Sequence, residues 1–347
     1  MTFSPRAQLA TIGKVMLDMI AYMIRRRHSL AVALFTGLFG LSATACTTTS
    51  VPATADIGQE NPDIVVAEVP TTSAAGLYIA AQEGFFQAAG LNVTIKPVAS
   101  LAGITPELLS GSVQVELGQW TTAIDAVAGG AQLHALAAAN SSGPGLTSLV
   151  TPAGSKITSL SQLRGEKVLV NAKGGLAQML AESVLEEASV KPAQTDYVTA
   201  PFPSIAAALQ HGTADAAVLP EPFLTQAEET WGMTTLADLN QGGVTDFPLA
   251  GYVSASSWVQ KNPAVAAAFV QALVRGQVVA STDRTMVEQV LERSLSMKGI
   301  VTSVVALGTY PISINAAQLS RVGYLMQQLG MLSPSANVKS LVSAMVR

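Results

Sequence analysis

The sequence predicts an α/β protein of two lobes joined by two crossing segments and carried behind an export signal. Three observations predict it. Short Ile/Val-rich runs alternate with capped, alanine-rich helical stretches, the pattern of βα units. The 347 residues are enough for two cores. Two polar, turn-rich breaks, Asn140-Ser141-Ser142-Gly143-Pro144-Gly145 and Ser254 to Ser257, divide the chain where it would pass between lobes. Charged residues make up only 12% of the chain and the mean hydropathy is +0.39, so buried strands and apolar helices must account for much of it.

At the N-terminus, Arg25, Arg26 and Arg27 precede an apolar run from Leu30 to Leu41, and small residues lead to Cys46. That is a signal-peptide layout, and the run is short for a membrane span. Met23 stands directly before it and is the expected translation start. Ala43-Thr44-Ala45-Cys46 resembles a lipobox, with Ala43 where leucine is usual. Cys46 is the only cysteine, and the threonine-rich stretch after it suits a tether, so lipidation of Cys46 is expected. Ordinary cleavage after Ala45 is the alternative. Loss of residues 1–45 would leave 14 basic and 22 acidic residues, a net charge of −8. That balance gives no basic patch for nucleic acid, and a single cysteine allows no internal disulfide.

In the remainder, Ile64 to Val69 reads as a buried strand, and Thr71, Thr72 and Ser73 offer hydroxyl caps for a helix from Ala74 to Gly84. A turn through Phe85 and Phe86 ends at Gly90, and Leu91, Val93 and Ile95 alternate as the next strand. Thr105-Pro106 reads as a cap and first-turn proline. Val113 to Leu117 and Leu133 to Ala139 are further strands, with a loop Gly118 to Thr122 between them and the helix that follows. Lys167 to Val170 is a strand, Asn171 to Gly175 a polar turn, and Leu176 to Glu187 an amphipathic helix. Ala214 to Leu219 is a strand that turns through Pro220-Glu221-Pro222. Leu249 to Val253 is a strand returning to the first lobe, and Ala264 to Ala280, Asp283 to Leu295 and Asn315 to Leu329 are helices completing it.

Leu77, Tyr78, Ile79 and Ala80, then Gly84-Phe85-Phe86, Gly90-Leu91 and Val93, with Glu221-Pro222 later, form a pattern similar to that of ABC-importer substrate-binding proteins. The relevant group includes sulfonate-, taurine-, nitrate- and thiamine-precursor-binding members. Ser159, Leu163, Gly165, Lys167 and Val168 match the segment that opens the family's second lobe, with Glu166 where lysine is common. The resemblance spans about Pro62 to Leu332. It implies the two-lobed, type II periplasmic-binding-protein fold, with residues 62–142 and 255–347 in lobe 1 and 143–254 in lobe 2, after a signal (1–45) and a lipidated tether (46–61).

Ligands in open α/β folds bind beyond the carboxyl ends of strands. The loops there supply Ser73, Ala74, Ser100, Gln119, Trp120, Ser141, Asn171, Lys173, Gly174 and Glu221 as candidate ligand-binding residues. Trp120 is either a pocket wall or a core tryptophan. Glu221 is either an acceptor for a ligand amine or a helix cap, and Lys173 either an anion partner or a solvated lysine. Tyr252 reads as a buried tyrosine, and His134 and His211 as packed or surface residues.

No HExxH, CxxC, GxSxG or P-loop pattern appears, so no catalytic residue, metal or cofactor is expected. Some relatives of this fold are enzymes, including desulfinases and pyrimidine synthases that use cysteines, and here the only cysteine, Cys46, lies outside the expected folded part. The resemblance implies an exported protein on the outer face of the cytoplasmic membrane, a monomer that captures a small polar or anionic solute by hinge closure. It would deliver that solute to a permease served by a separate ATPase. Scarcity of pocket arginine argues against a multiply charged ligand. The alternatives are a ligand sensor for a receptor, or an enzyme on the same fold.

Overall fold

A computed structural model of the chain describes residues 60–101, 104–295 and 303–346. The expected signal, Cys46 and all but the last residues of the tether lie outside the described residues.

The chain opens with β1 (Asp63–Glu68), a single 3₁₀ turn, then α1 (Ala75–Gln82) and α2 (Phe85–Ala88), separated by Gly84 in the left-handed region at φ +68°. β2 (Asn92–Pro97) follows, paired in parallel with β1 from Asp63↔Asn92 to Glu68↔Pro97. This is the βαβ unit that the alternation and the glycine stops predict. The hydroxyl caps are a correction. Neither Thr71 nor the residues after it make a side-chain cap; the turn is closed by backbone, Ala74 N–H donating to the Thr71 carbonyl at 3.1 Å.

α3 (Ile104–Ser110) contains Thr105 and Pro106 in its first turn, so Thr105 is not its cap. β3 (Val115–Gln119) runs directly into α4 (Trp120–Ala128), and β4 (Leu133–Ser141) ends the first stretch. The chain then crosses to β5 (Thr147–Thr151), β6 (Lys167–Val170), α5 (Leu176–Glu187), β7 (Asp196–Thr199), α6 (Phe202–Gln210), β8 (Ala216–Pro220), α7 (Phe223–Trp231) and β9 (Thr234–Asp238). It returns through β10 (Pro248–Ala255) to α8 (Ser256–Lys261), α9 (Pro263–Thr282), α10 (Arg284–Ser294), α11 (Ala316–Gln328) and α12 (Val338–Val346). Asp283 caps α10 at Met286 N–H (3.0 Å), and Asn315 caps α11 at Ala317 N–H (3.0 Å).

Two five-stranded sheets result, ordered β2-β1-β3-β10-β4 and β7-β6-β8-β5-β9. In each, an antiparallel strand (β10 or β5) separates three mutually parallel strands from a last one (β4 or β9). β10 bonds to β3 and β4, with Gly251 opposite Gly118 and Tyr252 opposite Ala137. The second crossing therefore precedes β10, over residues 239–247, and is not at Ser254–Ser257. The boundary drawn at residue 254 moves accordingly: Leu249–Val253 belongs to the first sheet. Ser142 ties the two crossings together: its hydroxyl donates to Val244 O (2.7 Å) and accepts from Phe247 N–H (2.8 Å).

One face of the first sheet packs α1, α9 and α10; the other packs α4, α11 and α12. α9 is 20 residues long and apolar enough to cross a membrane by composition, but half of it is buried against α1 and the sheet, the pattern of a core helix. Gly276 on α9 lets the helices approach so closely that a Cβ there would collide with the Gly76 carbonyl. Phe86 and Phe269 stack in this layer at 5.3 Å between centroids.

Candidate functional site

The carboxyl ends of β1, β3, β6 and β8 converge on a cavity of about 200 Å³ between the sheets. Strand ends gather loops in this way whenever parallel strands meet across a cleft. The first half contributes Thr71, Thr72, Ser73, Ser100, Gln119 and Asn140. The second contributes Asn171, Leu176, Phe202 and Glu221. The volume suits a solute about the size of one ring, since an apolar cavity of about 150 Å³ accepts benzene.

Five of the residues expected from sequence line this cavity: Ser73, Ser100, Gln119, Asn171 and Glu221. The other candidates lie elsewhere. Ala74 is fully buried beneath the loop. Trp120 is 1% exposed and belongs to the core: its indole fills the space over Gly251, where a Cβ would strike the ring. The expected loop Gly118 to Thr122 does not form: Gly118 and Gln119 end β3, and Trp120 to Thr122 are the first turn of α4. Ser141 is held by a two-way backbone bridge to Thr309, N–H to O at 3.0 Å and back at 3.2 Å, and lines a separate hollow. Lys173 and Gly174 are exposed on the outer side of their turn, and Gly174 N–H donates to Gln178 Oε1 at 2.9 Å.

Two of the lining residues have specific electrostatic roles. Gln119 reaches from the end of β3 across the cleft, and its Oε1 accepts Leu176 N–H at 3.2 Å. α5 has no side-chain cap of its own, so its first turn is satisfied from the opposite half. Glu221 follows the cap alternative. Its carboxylate accepts Thr225 N–H (3.1 Å) and Oγ1–H (2.7 Å) at the start of α7, together with Ala306 N–H (3.2 Å). Burial raises its pKa against these bonds. Its backbone carbonyl also faces Thr72 N–H at 3.4 Å, a second contact between halves.

Behind the Thr71–Ser73 loop lies a buried polar layer that sequence reasoning missed. Glu68 is fully buried, accepts Tyr78 O–H at 2.8 Å, and has its pKa pushed up to about 7 by desolvation. Tyr310 O–H donates to Thr72 O at 3.1 Å, and Tyr252, read from sequence as buried, is fully buried beside them. Asn140, read from sequence only as a hinge residue, lines the cavity at 1% exposure. Its position at the end of β4 was the available signal. Among the described residues no cluster of three His, Cys, Asp or Glu side chains is placed to hold a metal.

Residues 71–283, more than half the chain, match the sequence pattern described as "NMT1/THI5 like". The chain belongs to the NMT1/THI5-like family. YtlA of Bacillus subtilis (strain 168), which carries the name of a binding protein, is 28% identical over 205 residues, covering 58% of this chain and 61% of the relative. The match thus spans less than two thirds of that relative's length.

Solved structures share the fold at low identity. The nitrate-binding protein NrtA from Synechocystis PCC 6803 superposes with a TM-score of 0.72 at 16% identity, covering 83% of this chain and 86% of NrtA. The alkanesulfonate-binding protein SsuA from Xanthomonas axonopodis pv. citri, solved with MOPS, gives 0.69 at 16% identity, covering 84% and 99%. A ligand-binding component of an ABC-type import system from Staphylococcus aureus gives 0.71 at 16% identity, covering 83% and 100%. These three neighbours carry the names of binding proteins or of a ligand-binding component, and the chain shares their type II periplasmic-binding-protein fold.

Proposed function

We propose that this protein is an exported, lipid-anchored solute-binding component of an ABC importer, tethered through Cys46 on the outer face of the cytoplasmic membrane. One observation carries the reading: a single cavity takes its lining from the strand ends of both sheets, so a solute there touches both halves at once. Such a ligand favours the closed arrangement by its differential contacts, and a permease can then distinguish loaded from empty protein. Closure also excludes water, which strengthens every polar contact inside. The permease and a separate ATPase are the expected partners, and the binding component acts as a monomer.

The test is small-angle scattering on the protein extracted from its membrane, before and after its small molecules are stripped by mild denaturation and refolding. The stripped protein is expected to have a larger radius of gyration that contracts when the extract is returned. An unchanged radius would exclude hinge closure. Incorporation of labelled palmitate, lost in Cys46→Ser, checks the anchor.

A further inference from the structure

The two halves also touch each other directly. Glu221 follows β8 of the second half and is buried, and three donors converge on its carboxylate. Two of them, Thr225 N–H and Oγ1–H, belong to α7 in the same half; the third, Ala306 N–H at 3.2 Å, comes from the first half. Such a set suits a group that only accepts. The main chain of Glu221 is met from the first half as well, where Thr72 N–H points at its carbonyl from 3.4 Å.

The segment that carries Ala306 is fixed to the first half. Arg284, at the start of α10, donates to Ser303 O and Val305 O, both at 3.0 Å, and Val305 is fully buried in that half's core. Further along, Tyr310 O–H donates to Thr72 O, so the two elements that reach Glu221 are tied to each other. Between these anchors the segment lies flush against the first crossing. Thr309 is bridged to Ser141, a Cβ on Gly143 would meet the Leu307 carbonyl, and one on Gly308 would meet the Ser141 carbonyl. Ala306 itself does not line the cavity.

Opening the cleft must part Ala306 from Glu221, because the first is anchored to the core of one half and the second to α7 of the other. A hydrogen bond to a charged group is thereby made on closing and lost on opening. Resting on the solute-binding reading, we propose that Glu221 is a positioning residue whose carboxylate, gripped by Ala306 only when the halves meet, is an interlock that sets how much of the protein closes at a given solute concentration. Its partners are protein and not guest, so it acts on every solute alike. Affinity then divides into guest contacts and a fixed contribution from closure.

The experiment places nitroxides on Leu109→Cys and Lys173→Cys, one exposed site in each half, in the full chain carrying Cys46→Ser, and reads their separation by pulsed dipolar spectroscopy. The probe is the small-molecule fraction stripped from the wild-type protein and returned to stripped samples. At the dilution that closes half of the wild type, Ala306→Pro, which deletes the N–H and leaves the cavity lining unchanged, is expected to raise the open-to-closed ratio about tenfold. About ten times more of the fraction should restore half closure. Glu221→Gln, whose amide nitrogen must face one of the three donors, should also raise the ratio about tenfold, and the two substitutions together should do no more than either alone.

A ratio within about twofold of wild type in Glu221→Gln, or about a hundredfold change in the double variant, removes the interlock while hinge closure and solute binding stand. The same holds for an unchanged ratio in Ala306→Pro. Should the proline disturb the fold and prevent closure at every concentration, Glu221→Gln decides in its place. A wild type whose separation ignores the returned fraction overturns both the interlock and the reading it rests on.

Discussion

The two halves share a strand order and differ in what lies beneath their cleft loops. In the first half the Thr71–Ser73 loop rests on buried polar groups: Glu68 with Tyr78, and Tyr310 on Thr72 O. Gln277 is fully buried in the same layer and donates to Ala138 O and Ala139 O at 2.7 and 2.8 Å. In the second half the Asn171–Gly175 loop is backed by Leu176, Leu180 and Phe202, and the helix it leads into is capped only from across the cleft. One wall is held by its own interior. The other is completed only when the halves meet. Equal topology therefore does not mean equal internal support.

Substitutions can break this comparison, and the largest effect is expected in the first half. Gly276→Ala would drive a methyl into the Gly76 carbonyl and Ala80. Backbone cannot yield there as a flexible side chain would, so a loss of about 3 kcal/mol is expected in denaturant unfolding. A change under about 1 kcal/mol would mean that α1 and α9 are not locked.

Next comes the buried acid. Glu68 and Glu116 both have pKa values pushed up to about 7 by burial, against an ordinary 4.5. The folded state then holds more protons than the unfolded one between these values. Their contribution to stability is full below about pH 4.5 and is lost as the pH rises through about 7, on the order of 2–3 kcal/mol for each group. Glu68→Gln should remove its share of that slope between pH 5 and 8, measured by unfolding at several pH values. A slope unchanged in the variant would show that Glu68 stays ionised.

The smallest effect is expected at the junction. Gln119→Ala deletes the acceptor for Leu176 N–H, a cap contribution of about 1 kcal/mol. Hydrogen exchange should quicken in the first turn of α5 while β1 and β3 stay protected. Equal exchange in variant and wild type would mean that the second wall holds itself and that the contrast between the halves is false.

Much of this architecture was legible in the sequence where the information is local. Gly84 and Gly90 stop their helices, and the Ile/Val runs become strands, because periodicity and left-handed turns act over a few residues. Ser73, Ser100, Gln119, Asn171 and Glu221 reach the cavity because each follows a strand whose end faces the cleft. The failures are long-range. Trp120 turns inward because Gly251, 131 residues later, leaves room for its ring. β10 returns to the first sheet as the Leu249–Val253 reading expects, but the crossing ahead of it was misplaced at Ser254–Ser257, because pairs such as Ala250↔Gln119 leave no local pattern. Nor does hydropathy mark a glutamate such as Glu68 as buried, since its cover comes from Tyr78 on the following helix.

The stitch at Ser142 has a mechanical consequence. Two independent connections would let the halves bend, shear and twist separately. With Ser142 holding Val244 and Phe247, the two strands of chain act as one strap of double width. A strap folds readily across its width and resists torsion, so the relative motion of the halves reduces to one angle. Every approach then brings Gln119 back to the same N–H of α5.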